Sequence, residues 1–147
     1  ATVAPLAPES VRSSLDIDLA DTIGVAHPDD IAALLGVFDD LLPQLTLHLH
    51  DTHGRAGACV NTALAMGVRS FDGSAAGLGG CPFASTPGKR APGNIATDTL
   101  VRTIHDAGYT TGVDLEILAD AAAFAREIVD RARTEADAES APGEADR

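Results

Sequence analysis

The sequence predicts an α/β fold with parallel strands, and three observations carry that prediction. Short apolar runs of strand length alternate with amphipathic runs of helical length along the 147 residues. The connections between them are short and punctuated by Gly, Pro and Asp. The residues that carry chemistry fall where strands end, which is where open or closed parallel sheets place their functional groups.

In chain order, Pro8–Ser14 reads as the end of a helix and Leu15–Ala20 as a strand that closes at Asp21-Thr22-Ile23-Gly24. Pro28-Asp29-Asp30 opens a helix, because Pro fits the first turn and the two carboxylates complement its positive end. Ile31, Leu34, Leu35 and Phe38 then share one face. Leu45–Leu49 is the next strand, and a helix from Ala56 to Met66 stops at Gly67. Val68–Ser74 reads as a third strand running into a Gly- and Pro-rich loop, Ala75–Gly93, that includes Lys89 and Arg90. Thr97–Ala107 is amphipathic through Leu100, Val101 and Ile104, and Val113–Arg133 is an Ala-rich final helix. The βαβαβα order implies parallel strands joined by right-handed crossovers.

Composition narrows the function classes. Hydrophobic residues make up 45% of the chain, aromatics only 3% with no Trp, so the core is built from Ala, Leu, Ile and Val. A net charge of −12 argues against nucleic acid or an anionic membrane as partner. Thr134–Arg147, with Glu135, Asp137, Glu139, Glu144 and Asp146 against Arg147, reads as a disordered acidic tail after a domain spanning residues 1–133. Two cysteines form no disulfide framework and suit reduced thiols in a cytoplasmic setting. The first residue is Ala rather than Met, so the expectation is a processed chain or one that begins inside something longer.

His48 and His50 are two apart on a strand and therefore project from one face. Two imidazoles so placed can share a metal ion, or each can hydrogen-bond a neighbour; both readings stand on spacing alone. Asp51 falls on the opposite face and suits the turn. Cys81 follows Gly77, Gly79 and Gly80, so the thiol sits on a backbone able to approach a ligand closely, whereas Cys59, between Ala58 and Val60, reads as a small buried hydrophobe. Asn94 directly precedes a helix and is more readily its N-cap than an oxygen donor to Mg²⁺ or Mn²⁺. His53 lies near enough to the pair to support it.

Taken jointly, Asp21-Thr22-Ile23-Gly24-Val25, His48-Leu49-His50-Asp51-Thr52, Ala65-Met66-Gly67-Val68, Ala76-Gly77-Leu78-Gly79-Gly80-Cys81-Pro82-Phe83-Ala84, Gly93-Asn94-Ile95-Ala96-Thr97 and Thr111-Gly112-Val113-Asp114-Leu115 resemble the 3-hydroxy-3-methylglutaryl-CoA lyase family. That family belongs to the pyruvate-carboxyltransferase-like metallolyases. Its isopropylmalate- and homocitrate-synthase relatives share the His pair but carry Gly-Glu-Arg where this chain has Gly80-Cys81-Pro82. The resemblance implies a TIM (β/α)8 barrel, of which this chain supplies roughly the last three βα units. It implies His48, His50 and Asn94 around a divalent cation, Mg²⁺ or Mn²⁺, with His48 also assisting acid/base steps. Cys81 would close the site and deliver a proton, and Asp21, Asp98, Gly79 and Gly80 would support it. The reaction implied is retro-Claisen cleavage of a 3-hydroxy-3-methyl acyl-CoA to acetyl-CoA and acetoacetate. The family commonly forms dimers, so a homodimer is implied as well. The family's first strand carries an Arg-Asp pair that nothing in this chain matches. The same reading therefore makes a separate N-terminal half-barrel a partner, and a non-catalytic half that only binds a divalent cation the rival.

Overall fold

The computed structural model describes residues 16–79 and 93–140. Strand β1 (Ile17–Asp21), helix α1 (Pro28–Val37), a 3-10 segment (Asp39–Gln44), strand β2 (Leu45–Leu49) and helix α2 (Ala56–Met66) follow in order. Strand β3 (Ser70–Asp72), a 3-10 turn (Ala75–Gly77), helix α3 (Thr97–Asp106) and helix α4 (Leu115–Ser140) complete it. The sheet is parallel with order β1-β2-β3, so β2 is central. The register places Ala20 beside His48 and His48 beside Asp72.

The sheet is two-faced because β2 alternates. Leu45, Leu47 and Leu49 are buried, while Thr46 and His48 between them stay half-exposed. The leucines pack with Ile31 and Leu35 of α1, Val60, Ala63 and Leu64 of α2, and Leu100 and Ile104 of α3. Each such side chain contributes roughly 1.5–3 kcal/mol of burial. Of the face expected on α1, Ile31 and Leu35 are buried and Phe38 packs at the margin, but Leu34 lies at the stripe's edge and is exposed. Cys59 is buried in α2, as a small apolar residue would be.

Three local features differ from the expected pattern. β3 covers only Ser70–Asp72, because beyond Gly73 the chain leaves β2 and pairs instead with the segment before α3. Asn94 is not the cap of α3: that position belongs to Ala96, which offers no side-chain bond. α4 continues through Ser140, into the stretch Thr134–Arg147 where low hydrophobicity suggested disorder. Ala136, Ala138, Glu135 and Glu139 are all good helix formers, which is the physical reason a helix can persist there. Residues 141–147 and the expected helix end Pro8–Ser14 lie outside the described residues, as do Gly80, Cys81, Lys89 and Arg90.

Candidate active site at the carboxyl end of the central strand

The end of β2 is fixed from both sides. On one side, Asp21 terminates β1, and its carboxylate accepts hydrogen bonds from Val25 N (3.1 Å) and Ala26 N (3.0 Å), folding the turn. Its backbone carbonyl accepts from His50 Nδ1 at 3.0 Å. Arg55 donates to the carbonyls of Val25 and Ala26, tying that turn to the base of α2. Asp51, as its place on the opposite face suggested, serves the turn: its Oδ1 accepts from Ala56 N at 2.9 Å at the start of α2.

On the other side, His48 Nδ1 lies 3.0 and 2.9 Å from the two carboxylate oxygens of Asp72, its neighbour in register on β3. A carbonyl and a carboxylate have no proton to give, so both rings donate through Nδ1. In the neutral imidazole, Nε2 of each is then left with its lone pair. The two rings stand edge to face with centroids 5.1 Å apart.

Asn94 completes the cluster through a backbone strap. Ile95 N donates to Leu49 O (2.9 Å), Asp51 N to Gly93 O (3.2 Å) and Ser74 N to Ile95 O (3.1 Å), so residues 93–97 bridge the ends of β2 and β3. Asn94 pairs with His50 in this bridge. Its Nδ2 donates to Leu78 O at 3.1 Å, which engages the nitrogen end of the amide and leaves Oδ1 as the donor atom available to a cation. Gly79 makes this possible: its φ is +95°, and a Cβ there would stand 3.0 Å from Asn94 Nδ2.

The structure thus brings His48, His50, Asn94, Asp21 and Gly79 together. Asp98 lies half-buried in the first turn of α3, and His53 is exposed beyond the pair. Among the described residues no group of three or more His, Cys, Asp or Glu is placed to hold a metal ion. Imidazole nitrogen and amide oxygen are nevertheless donor types that a divalent cation takes. Asp72 is the residue that sequence reasoning missed. It lies 24 positions from His48, and only the strand register could have revealed the pairing.

A separate groove of about 490 Å³ runs along the outer edge of β3, bounded by Arg69, Ser70 and Phe71 on one side and Tyr109, Thr111 and Val113 on the other. The Arg69 guanidinium stacks over the Tyr109 ring at 4.6 Å and also caps the carbonyls of Leu64 and Val68.

Residues 10–125 match the HMGL-like family model. The chain is 52% identical over 106 residues to hydroxymethylglutaryl-CoA lyase of Pseudomonas mevalonii, covering 71% of this chain and 34% of the relative. It is 45% identical over 105 residues to the (R)-citramalyl-CoA lyase of Chloroflexus aurantiacus, covering 70% of this chain and 32% of that protein. Among solved structures, the HMG-CoA lyase from Brucella melitensis is similar with a TM-score of 0.69 at 42% identity, covering 77% of this chain and 39% of its own. An HMG-CoA lyase of Acinetobacter baumannii, solved in complex with coenzyme A and 3-methylmalate, gives 0.64 at 41% identity, covering 73% of this chain and 34% of its own. The chain spans about a third of the length of the curated relatives it matches.

Proposed function

The chain belongs to the HMGL-like family, and from that premise we propose that it carries the metal-binding part of a hydroxymethylglutaryl-CoA lyase-type site. The reaction is cleavage of a 3-hydroxy-3-methyl acyl-CoA into acetyl-CoA and a 3-oxo acid, acetoacetate for the hydroxymethylglutaryl thioester. The single observation behind this reading is the paired commitment of Nδ1 on His48 and His50, which leaves each Nε2 with its lone pair, while the backbone bridge pairs His50 with Asn94. A bound Mg²⁺ or Mn²⁺ would supply Lewis acidity to the substrate's hydroxyl and carbonyl oxygens.

His48, His50 and Asn94 would hold that cation, and their rigid supports would fix where the substrate's oxygens lie. Transfer of the tertiary hydroxyl proton to a general base breaks the adjacent carbon–carbon bond. The hydroxyl carbon becomes the ketone, and the electron pair passes to the thioester enolate, which takes a proton to become acetyl-CoA. His48 has one free nitrogen, so coordination and proton transfer at that atom are alternatives, and we assign it to the cation. Delivery of the enolate proton falls to Cys81, which lies outside the described residues.

We further propose that the three-stranded sheet is part of a (β/α)8 barrel, completed by an N-terminal half carried elsewhere in the protein or on a second chain. Among the described residues β1 and β3 each have one strand neighbour, and the groove beside β3 is unfilled, as expected where a barrel continues. The test is release of acetoacetate from 3-hydroxy-3-methylglutaryl-CoA with Mg²⁺ or Mn²⁺, by the purified chain alone and with an N-terminal half-barrel supplied. Citramalyl-CoA serves as the competing substrate. Cleavage only on complementation is the expected result, and cleavage of neither thioester in either arm overturns the lyase reading.

A further inference from the structure

We infer that Asp72 is the positioning residue for His48, holding its ring as the Nδ1–H tautomer so that Nε2 faces outward as a donor; the consequence for a cation rests on the function proposed above. The two histidines are fixed by different means. His50 is held by a backbone carbonyl, which no substitution can remove, while His48 depends on a side chain from another strand. Register puts Asp72 directly beside His48, and both carboxylate oxygens stand at hydrogen-bond distance from one ring nitrogen. With both oxygens turned to the imidazole, Asp72 orients a ligand rather than serving as one.

The contact lies at the surface, but it turns both carboxylate oxygens toward one ring nitrogen. The His48 side chain is 25% exposed against 52% for Asp72, so the ring is the constrained partner. A neutral imidazole without this acceptor exchanges between tautomers, and only one of them leaves Nε2 unprotonated. A carboxylate behind a ligating histidine both selects that tautomer and strengthens the nitrogen as a donor, typically by 10- to 100-fold in affinity. Asp72 is also the last residue of β3, so the same contact ties the ligand pair to the strand that leads into the glycine-rich loop.

The test uses the full 147-residue chain without metal. Imidazole nitrogen NMR at alkaline pH, where the ring is neutral, reads the His48 tautomer directly. Nδ1–H is expected in the wild-type chain and a mixture, or Nε2–H, in Asp72→Ala and Asp72→Asn. Mn²⁺ titration followed by electron paramagnetic resonance is expected to show affinity falling 10- to 100-fold in both variants and partial recovery in Asp72→Glu. A wild-type Nε2–H ring, or an unchanged tautomer in Asp72→Asn, overturns the assignment. Loss of Mn²⁺ without a tautomer change would make Asp72 a ligand itself and also overturns it. Absence of Mn²⁺ binding to the wild-type chain would count against the proposed function, while the tautomer arm would still decide the role of Asp72.

Discussion

Replacing Gly93 with Ala is expected to damage both the fold and the donor cluster, whereas the same change at Gly36 is expected to stabilise the protein. At Gly93, a Cβ would overlap the carbonyl oxygens of Gly77 and Gly79 and stand 3.1 Å from the carbonyl carbon of Gly77. These are backbone atoms, so no flexible side chain can move aside. Relief requires the strap 93–97 or the turn 75–79 to shift. The strap is held by Ile95 N to Leu49 O, Asp51 N to Gly93 O and Ser74 N to Ile95 O, and Asn94 Nδ2 reaches Leu78 O. Losing two or three of these bonds, at about 1 kcal/mol each, predicts a cost of about 2–3 kcal/mol, within the usual range for overpacking. At Gly36, in α1, nothing lies within 4 Å of an added Cβ. Ala there should gain about 0.5–1 kcal/mol from helix propensity. Urea denaturation followed by circular dichroism gives both values from the shift in midpoint at constant slope. Gly93→Ala within about 0.5 kcal/mol of wild type, the ordinary scatter of surface substitutions, would refute the close packing of strap against turn. Its Mn²⁺ affinity should fall with its stability, since Asn94 moves with residue 93.

Three further outcomes follow from the same geometry. His50→Ala should abolish saturable Mn²⁺ binding, measured by calorimetry, while leaving the sheet's circular dichroism intact; binding unchanged would remove His50 from the donor set. Asp51→Ala deletes the acceptor for Ala56 N and should cost about 1 kcal/mol in thermal unfolding, as loss of a helix cap does. Burial, with Asp21 the next contribution, holds the Cys59 thiol above its ordinary value of 9.0. Its folded form therefore keeps a proton that the unfolded chain releases, so its contribution to stability is full below the unfolded thiol value and lost as pH rises above it. Cys59→Ala should flatten the alkaline arm of the stability profile, and iodoacetamide mapping should find Cys59 modified only after denaturation. Equal labelling of Cys59 in native and denatured protein would show that the thiol is not buried.

What the sequence revealed depended on the range of the interactions involved. β2 and α2 were legible residue by residue: Leu45, Leu47 and Leu49 alternate with Thr46 and His48, and Gly67 closes α2 with φ +112°. The His pair was legible for the same reason, since period two alone puts both rings on one face. Asn94 was not. Its position before α3 invited a capping role, but its environment is set by Leu49, Ser74 and Leu78, all remote in sequence. Asp72 was hidden likewise, because a single Asp in a short polar strand has no local signature. The length of α4 escaped because acidic composition weighed against order, while helix propensity favoured the opposite outcome.

The non-core face of the sheet gives the site its logic. Register makes two rows across the strands, Asp18–Thr46–Ser70 and Ala20–His48–Asp72. In the first, Thr46 Oγ1 donates to Ser70 Oγ at 2.8 Å; in the second, His48 donates to Asp72. Both rows bond toward β3 and leave the β1 side with only a small or exposed residue. Ala20 has no side chain able to compete for His48 or to fill the space beside it. A sheet needing only a water-compatible face would have no reason to put its aromatic donors on the central strand, with an anchor on one flank and a methyl group on the other. That arrangement suits the donor role proposed above for His48 and His50, with a cation and its oxygen ligands as the partner whose chemistry matches theirs.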